Sequence, residues 1–381
     1  MSRTWTEHPA RTGIRRDVPL DFASPKPEMD TGISDKTDDG AERLSTSAAV
    51  WHYPAGVPSP AATAVPAASP GHARRLLLIH GFRGDHHGMA LIVDALPEFE
   101  VFVPDLPGFG ATPPLQRGPD GPAEHSLATY AACVEALAEA LQLGPDDVLV
   151  GHSFGSIVVA AHAAQRNPAA HAAQRNPAAH AAQRNPAAHA AQRNPAAHAA
   201  QSRPAAHSNK PRRWAGLALF APISNDIFTG SLLPGAAAVD LYYRSSQWLP
   251  ERWAQALLRS PLAQAVTNVS MIVTRVPEQV AYIRDQHRRH FSGFADPHSL
   301  LQAYWASSRH TVTEFAELLD LPVLLVPGAQ DQLSTPAGQR ALRRMIPQAH
   351  AEVLCGTGHL LHYEKPAQAA RALRRFIATL D

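Results

Sequence analysis

A serine set between two glycines, Gly151-His152-Ser153-Phe154-Gly155, is the pattern in this chain best suited to chemistry. Glycines two positions either side of Ser153 let a strand and a helix cross closely around a sharp turn. The hydroxyl then projects from the turn and a helix N-terminus lies beneath it. Such a hydroxyl attacks carbon only if a base takes its proton and donors stabilise the oxyanion that results. Two late motifs offer the base and its partner. Gly356-Thr357-Gly358-His359 places an imidazole after a tight turn, and Gly328-Ala329-Gln330-Asp331 supplies a carboxylate to orient it. His362 competes with His359 but lacks the Gly-x-Gly turn, and Asp226 is the alternative orienting acid. Upstream, the loop at His80-Gly81-Phe82 has backbone amides that can face the serine.

These residues need a frame that brings them to one edge. Short apolar runs at Leu76–Ile79, Val101–Pro104, Asp147–Val150, Ala215–Phe220, Pro322–Val326 and Ala351–Leu354 read as buried strands. Helical patterns alternate with them: Gly88–Leu96, Ser126–Leu143 with Ser126 as N-cap, the run after Ser153, Pro336–Met345 behind Thr335, and Pro366–Leu380. Strand–helix alternation predicts an α/β fold, a mostly parallel sheet with helices on both faces. Ser153, Asp331 and His359 each follow a strand, so all three fall on the carboxyl edge. An apolar patch at Ala48–Tyr53 reads as a first, edge-like strand.

The remaining stretches divide the chain. Residues 1–45 are polar and proline-bearing and predict a disordered or loosely docked tail; 46–222 form the first part of the core. Residues 223–309 lose the strand signal, and helical patterns with aromatics such as Tyr243, Trp248 and Trp305 predict an inserted helical cap; 310–381 return to the core. Within about 162–207 the unit Asn-Pro-Ala-Ala-His-Ala-Ala-Gln-Arg recurs every nine residues, an expansion of the end of the helix after Ser153. Nine helical residues turn through about 900°, so successive histidines face opposite sides and no metal is expected. The adjacent pair His86 and His87 is read as rim residues, and Asp105-Leu106-Pro107-Gly108-Phe109-Gly110 as a structural turn rather than a dinucleotide loop.

A net charge of +1 makes nucleic acid and anionic membranes poor partners by total charge. Two cysteines make no disulfide framework. No apolar run reaches the ~18 residues of a membrane span, so neither stable membrane insertion nor a leader segment is expected, and the expected location is cytoplasmic. Oligomeric state is left open.

Taken together, the motifs at His80–Phe82, Asp105–Gly110, Gly151–Gly155, Gly328–Asp331 and Gly358-His359, with Glu364-Lys365-Pro366 behind, resemble the α/β-hydrolase fold superfamily, in its cofactor-free serine-hydrolase branch with a helical cap. The order Ser, Asp, His agrees with that fold. The resemblance implies Ser153 as nucleophile, His359 as general base and then acid, Asp331 as the orienting carboxylate, and the backbone N–H groups of Phe82 and Phe154 as the oxyanion hole. It implies no cofactor and no metal. Relatives that open epoxides or displace halide carry Asp at the position of Ser153. The expected substrate is a small or medium, mostly apolar ester, thioester or lactone. C–C bond hydrolysis, acyl transfer and ligand binding without turnover are the alternatives.

Overall fold

The computed structural model describes residues 11–25, 42–56, 74–118, 121–165, 212–346 and 348–380. Nearly all of the nine-residue repeat, from residue 166 on, lies outside them. Eight strands form one sheet: β1 (Ile14–Ala23), β2 (Arg43–Tyr53), β3 (Arg75–Ile79), β4 (Glu100–Pro104), β5 (Val148–His152), β6 (Gly216–Phe220), β7 (Val323–Val326) and β8 (Ala349–Ala351). Their order across the sheet is β1-β2-β4-β3-β5-β6-β7-β8. The pairs β1–β2 and β2–β4 are antiparallel, and every later pair is parallel.

The period of two in each strand sorts its apolar residues onto two faces. Leu77, Ile79, Leu149, Leu217, Leu219, Val323 and Leu325 pack into one core together with helices α2 (Leu127–Ala140) and α3 (Phe154–Gln165). Leu76, Leu78, Val148, Val150, Ala218, Phe220, Leu324 and Val326 pack into the other. That second core is closed by α1 (His86–Asp94) and by the last long helix, Pro366–Ile377. Helix starts follow their caps as the sequence predicts: the side chains of Ser126 and Thr335 accept from Thr129 N–H at 3.2 Å and Gly338 N–H at 3.1 Å.

The expected tail needs correction. Residues 14–23, read as unstructured, are a ten-residue strand paired along its whole length with 43–52. Leu20 and Phe22 alternate inward and enter the core, while the charged residues between and before them face solvent. Pro19 fits because β1 lies at the sheet edge, where a missing donor costs little.

Between β6 and β7 the chain leaves the sheet and forms five α-helices: α4 (Leu233–Ser245), α5 (Glu251–Leu258), α6 (Pro261–Met271), α7 (Pro277–His290) and α8 (Pro297–Ser308). After β7 come α9 (Pro336–Met345), β8, the single turn α10 (Leu361–Glu364) and α11 (Pro366–Ile377). No helix among the described residues is long and apolar enough to cross a membrane.

Candidate active site

Ser153 sits between the end of β5 and the start of α3 with φ of +55°, a left-handed conformation that side chains rarely adopt. Its N–H donates to Phe220 O of β6 at 3.0 Å, and its carbonyl accepts from Ser156 N–H at 2.8 Å. The flanking glycines permit the crossing: a Cβ on Gly155 would strike the Ile79 carbonyl of β3, and one on Gly151 the Gly155 carbonyl. Packing on both sides thus holds the turn in its strained form.

The loops after β7 and β8 deliver the other two groups. His359 Nε2 lies 2.7 Å from Ser153 Oγ. On the opposite ring edge, His359 Nδ1 lies 3.0 Å from Asp331 Oδ2. Asp331 Oδ1 also accepts from the N–H groups of Leu333 at 2.8 Å and Ser334 at 3.1 Å. Burial alone would raise the Asp331 pKa, but His359 and those hydrogen bonds outweigh it and hold the carboxyl below its ordinary value. A proton on Nδ1, facing the carboxylate, leaves Nε2 free to accept from the serine. The competing residues lie elsewhere. Exposed Asp226 accepts from its own turn, Phe228 N–H at 2.8 Å, and the His362 ring lies tilted against that of His152 at 4.0 Å.

Gly81 lies against the serine, where an added Cβ would sit 3.0 Å from Ser153 Cβ. Phe154, as the first residue of α3, carries one of the N–H groups that a helix leaves without an internal partner. The His80 ring fixes the Gly81 loop. Its Nδ1–H donates to Gly81 O at 2.8 Å, and its Nε2 accepts from Leu106 N–H at 2.9 Å. Asp105 stabilises the next turn by accepting from His86 N–H at 2.8 Å and Ala111 N–H at 2.8 Å, in keeping with a structural turn.

Three contacts were not legible as motifs. Glu364, 2% exposed, accepts from Thr357 Oγ1 at 2.6 Å and Gly358 N–H at 3.1 Å on one oxygen. Its other oxygen accepts from Val273 and Thr274 N–H at 2.7 and 2.8 Å, so one carboxylate ties the His359 turn to the helical segment. Arg83, 3% exposed, donates to Phe291 O, Tyr243 Oη and Leu258 O and stacks over the Phe291 ring at 4.2 Å. It thereby pins the Gly81–Phe82 loop to the same segment. His152 donates from Nε2 to the His359 carbonyl at 3.2 Å. His86, expected at the rim, is buried instead, stacked on Trp51 at 3.3 Å and bonded to Asp105. The rings of His86 and His87 lie tilted at 3.8 Å and those of His87 and His290 stack at 3.7 Å, and Asp85, His86 and His87 each bring one ligand atom within 4.8 Å of the others.

Burial keeps several histidines neutral. It lowers His152 to about 3, with His359 adding repulsion, and lowers His125 and His287 each to about 4. The unfolded chain takes up protons on these groups below pH ~6.5 and the native chain does not, so stability falls as pH drops from ~6.5 toward the folded values. Three such groups remove roughly 6 kcal/mol by pH 5, about the whole stability of an ordinary domain. The urea midpoint is therefore expected to collapse between pH 7 and 5; an unchanged midpoint would show that these rings protonate in the folded state.

A hydroxyl, an imidazole and a carboxylate in hydrogen-bonded series at the carboxyl edge of a parallel sheet define a class of fold and site. The family model for the alpha/beta hydrolase fold matches residues 74–366, and the chain belongs to that family. A 58-residue stretch is 38% identical to esterase YbfF of Escherichia coli (strain K12), covering 15% of this chain and 23% of that protein's length. Among solved structures, a thermophilic esterase from Thermogutta terrifontis superposes with a TM-score of 0.56 at 20% identity, over 96% of this chain and 99% of the other. The enol-lactonase from Burkholderia xenovorans LB400 gives 0.56 at 15% identity, over 88% and 97%. These likenesses agree in the fold.

Proposed function

We propose that the protein is a cofactor-free serine hydrolase that cleaves a small or medium, mostly apolar carboxylic ester, thioester or lactone. The observation that carries this reading is the unbroken series Ser153 Oγ, His359 Nε2, His359 Nδ1, Asp331 at 2.7 and 3.0 Å. Ser153 attacks the carbonyl carbon while His359 takes its proton, and Asp331 stabilises the resulting imidazolium. The N–H groups of Phe82 and Phe154 receive the oxyanion. His359 then protonates the leaving oxygen or sulfur, and a water that it deprotonates releases the acid from the acyl-enzyme. The helices between β6 and β7 act as a cap over this edge, joined to it by Arg83 and Glu364. Phe82, Phe109, Tyr243 and Tyr304 form an aromatic cluster beside the Phe82 donor, suited to an apolar acyl or alcohol group.

Treatment with a fluorophosphonate and peptide mapping test the reading, together with turnover of a panel of simple esters by chain length. The expected result is one adduct, on Ser153, and turnover that the adduct abolishes. An adduct without turnover of any ester, thioester or lactone would point to a binding protein, and turnover without an adduct would remove Ser153 from the reaction.

A further inference from the structure

Helix α6 is inside out. A helix on a folded domain ordinarily turns its apolar stripe to the core and its polar face to water. Here Leu262, Val266 and Val269, spaced to share one face, are 72%, 58% and 81% exposed, and none of the helix's residues is buried. Its polar residues turn inward instead. Gln264 donates to Ser292 Oγ at 3.1 Å, and Asn268 Oδ1 accepts from His287 Nδ1–H at 2.6 Å. The preceding elements continue the pattern: Leu241, Trp248 and Trp253 are 60%, 72% and 57% exposed. Ten of the twelve exposed large apolar residues among the described residues fall between 233 and 276, a concentration suited to an interaction surface.

The charge distribution selects the partner. Between residues 233 and 309 eight arginines stand against five acidic residues, a local +3 in a chain whose total is +1. Exposed Arg244, Arg252, Arg259 and Arg275 lie on or beside α4, α5 and α6, with Arg252 over the Trp253 ring at 5.6 Å. Apolar side chains, tryptophans and arginines together suit the boundary of an anionic bilayer, where indoles settle among headgroups and arginines meet phosphate.

The tethers of α6 place this surface next to the site. Leu258, just before it, is held by Arg83 of the loop after β3; Met271 O, at its end, accepts from Gln332 beside Asp331 at 3.3 Å. Glu364 holds the two N–H groups that follow. We infer that the outward face of α6, with Trp248 and Trp253, docks the protein peripherally on an anionic phospholipid surface. Docking stands apart from the ester-hydrolase reading because it is measured without turnover.

Co-sedimentation with vesicles of phosphatidylcholine alone, and of equal parts phosphatidylcholine and phosphatidylglycerol, tests the inference on the full chain. Binding is expected to the mixed vesicles, weaker to phosphatidylcholine alone. The triple variant Leu262→Ser/Val266→Ser/Val269→Ser should lose at least about tenfold in partitioning. Trp248→Ser/Trp253→Ser should lose a comparable amount, and circular dichroism should confirm that both variants remain folded. The inference is overturned if the mixed vesicles do not bind the protein, or if binding survives both variants. It is equally overturned if light scattering shows a dimer that the triple variant dissociates, which would make the face an interface between copies.

Discussion

Replacing Ser153 with alanine is expected to lower kcat on a hydrolysed ester by on the order of 10⁴–10⁶ while the fold persists. On the proposed mechanism the loss is large because nucleophile and base act as a unit: with no Oγ at 2.7 Å, His359 Nε2 has no proton to take and no acyl-enzyme can form. The fold persists because the features that hold the turn are backbone features. Ser153 N–H still donates to Phe220 O, Ser153 O still accepts from Ser156, and the glycine crossings are untouched. Alanine inherits the positive φ without relief, so stability should stay within about 1 kcal/mol. Kinetics on the ester that the panel identifies, paired with urea unfolding of both proteins, checks the two halves separately. Retained turnover in a folded variant would end the nucleophile reading.

What could be read from residues alone was local. Val148–Val150 and Leu76–Ile79 announce strands because a fully buried parallel strand is apolar at every position. Ser126 and Thr335 announce helix starts because an N-cap bonds only three residues ahead. Ser153, Asp331 and His359 were legible as candidates for a related reason: Ser153 follows β5 directly, the other two lie in the loops after β7 and β8, and parallel strands share a carboxyl edge. β1 was missed because four charges and Pro19 mask an inward alternation of only two residues, Leu20 and Phe22. The ties from Arg83 to Leu258 and from Glu364 to Val273 span 175 and 91 residues, and no spacing rule reaches so far. A total charge of +1, by contrast, holds no record of where along the chain the arginines stand.

Asp331→Asn is the second large effect, about 10⁴ in kcat, and it arises from the direction of a proton rather than from lost contact. Asp331 Oδ1 accepts from Leu333 and Ser334 N–H, so an asparagine at this position keeps its carbonyl oxygen there and turns its amino group to the Oδ2 position. That amino group donates across the 3.0 Å separation to His359 Nδ1, which must then be unprotonated. A neutral imidazole in that tautomer carries its proton on Nε2, aimed at Ser153 Oγ, and cannot accept another. The same change removes the negative charge that would stabilise the imidazolium. Affinity should change little, because the Asp331 side chain is buried behind the His359 ring, so the loss falls on kcat with KM within a few-fold. Nitrogen NMR of the His359 ring distinguishes the tautomers directly: protonation at Nδ1 in the native protein and at Nε2 in the variant is the expected pair. An unchanged tautomer alongside the 10⁴ loss would assign Asp331 a purely electrostatic part.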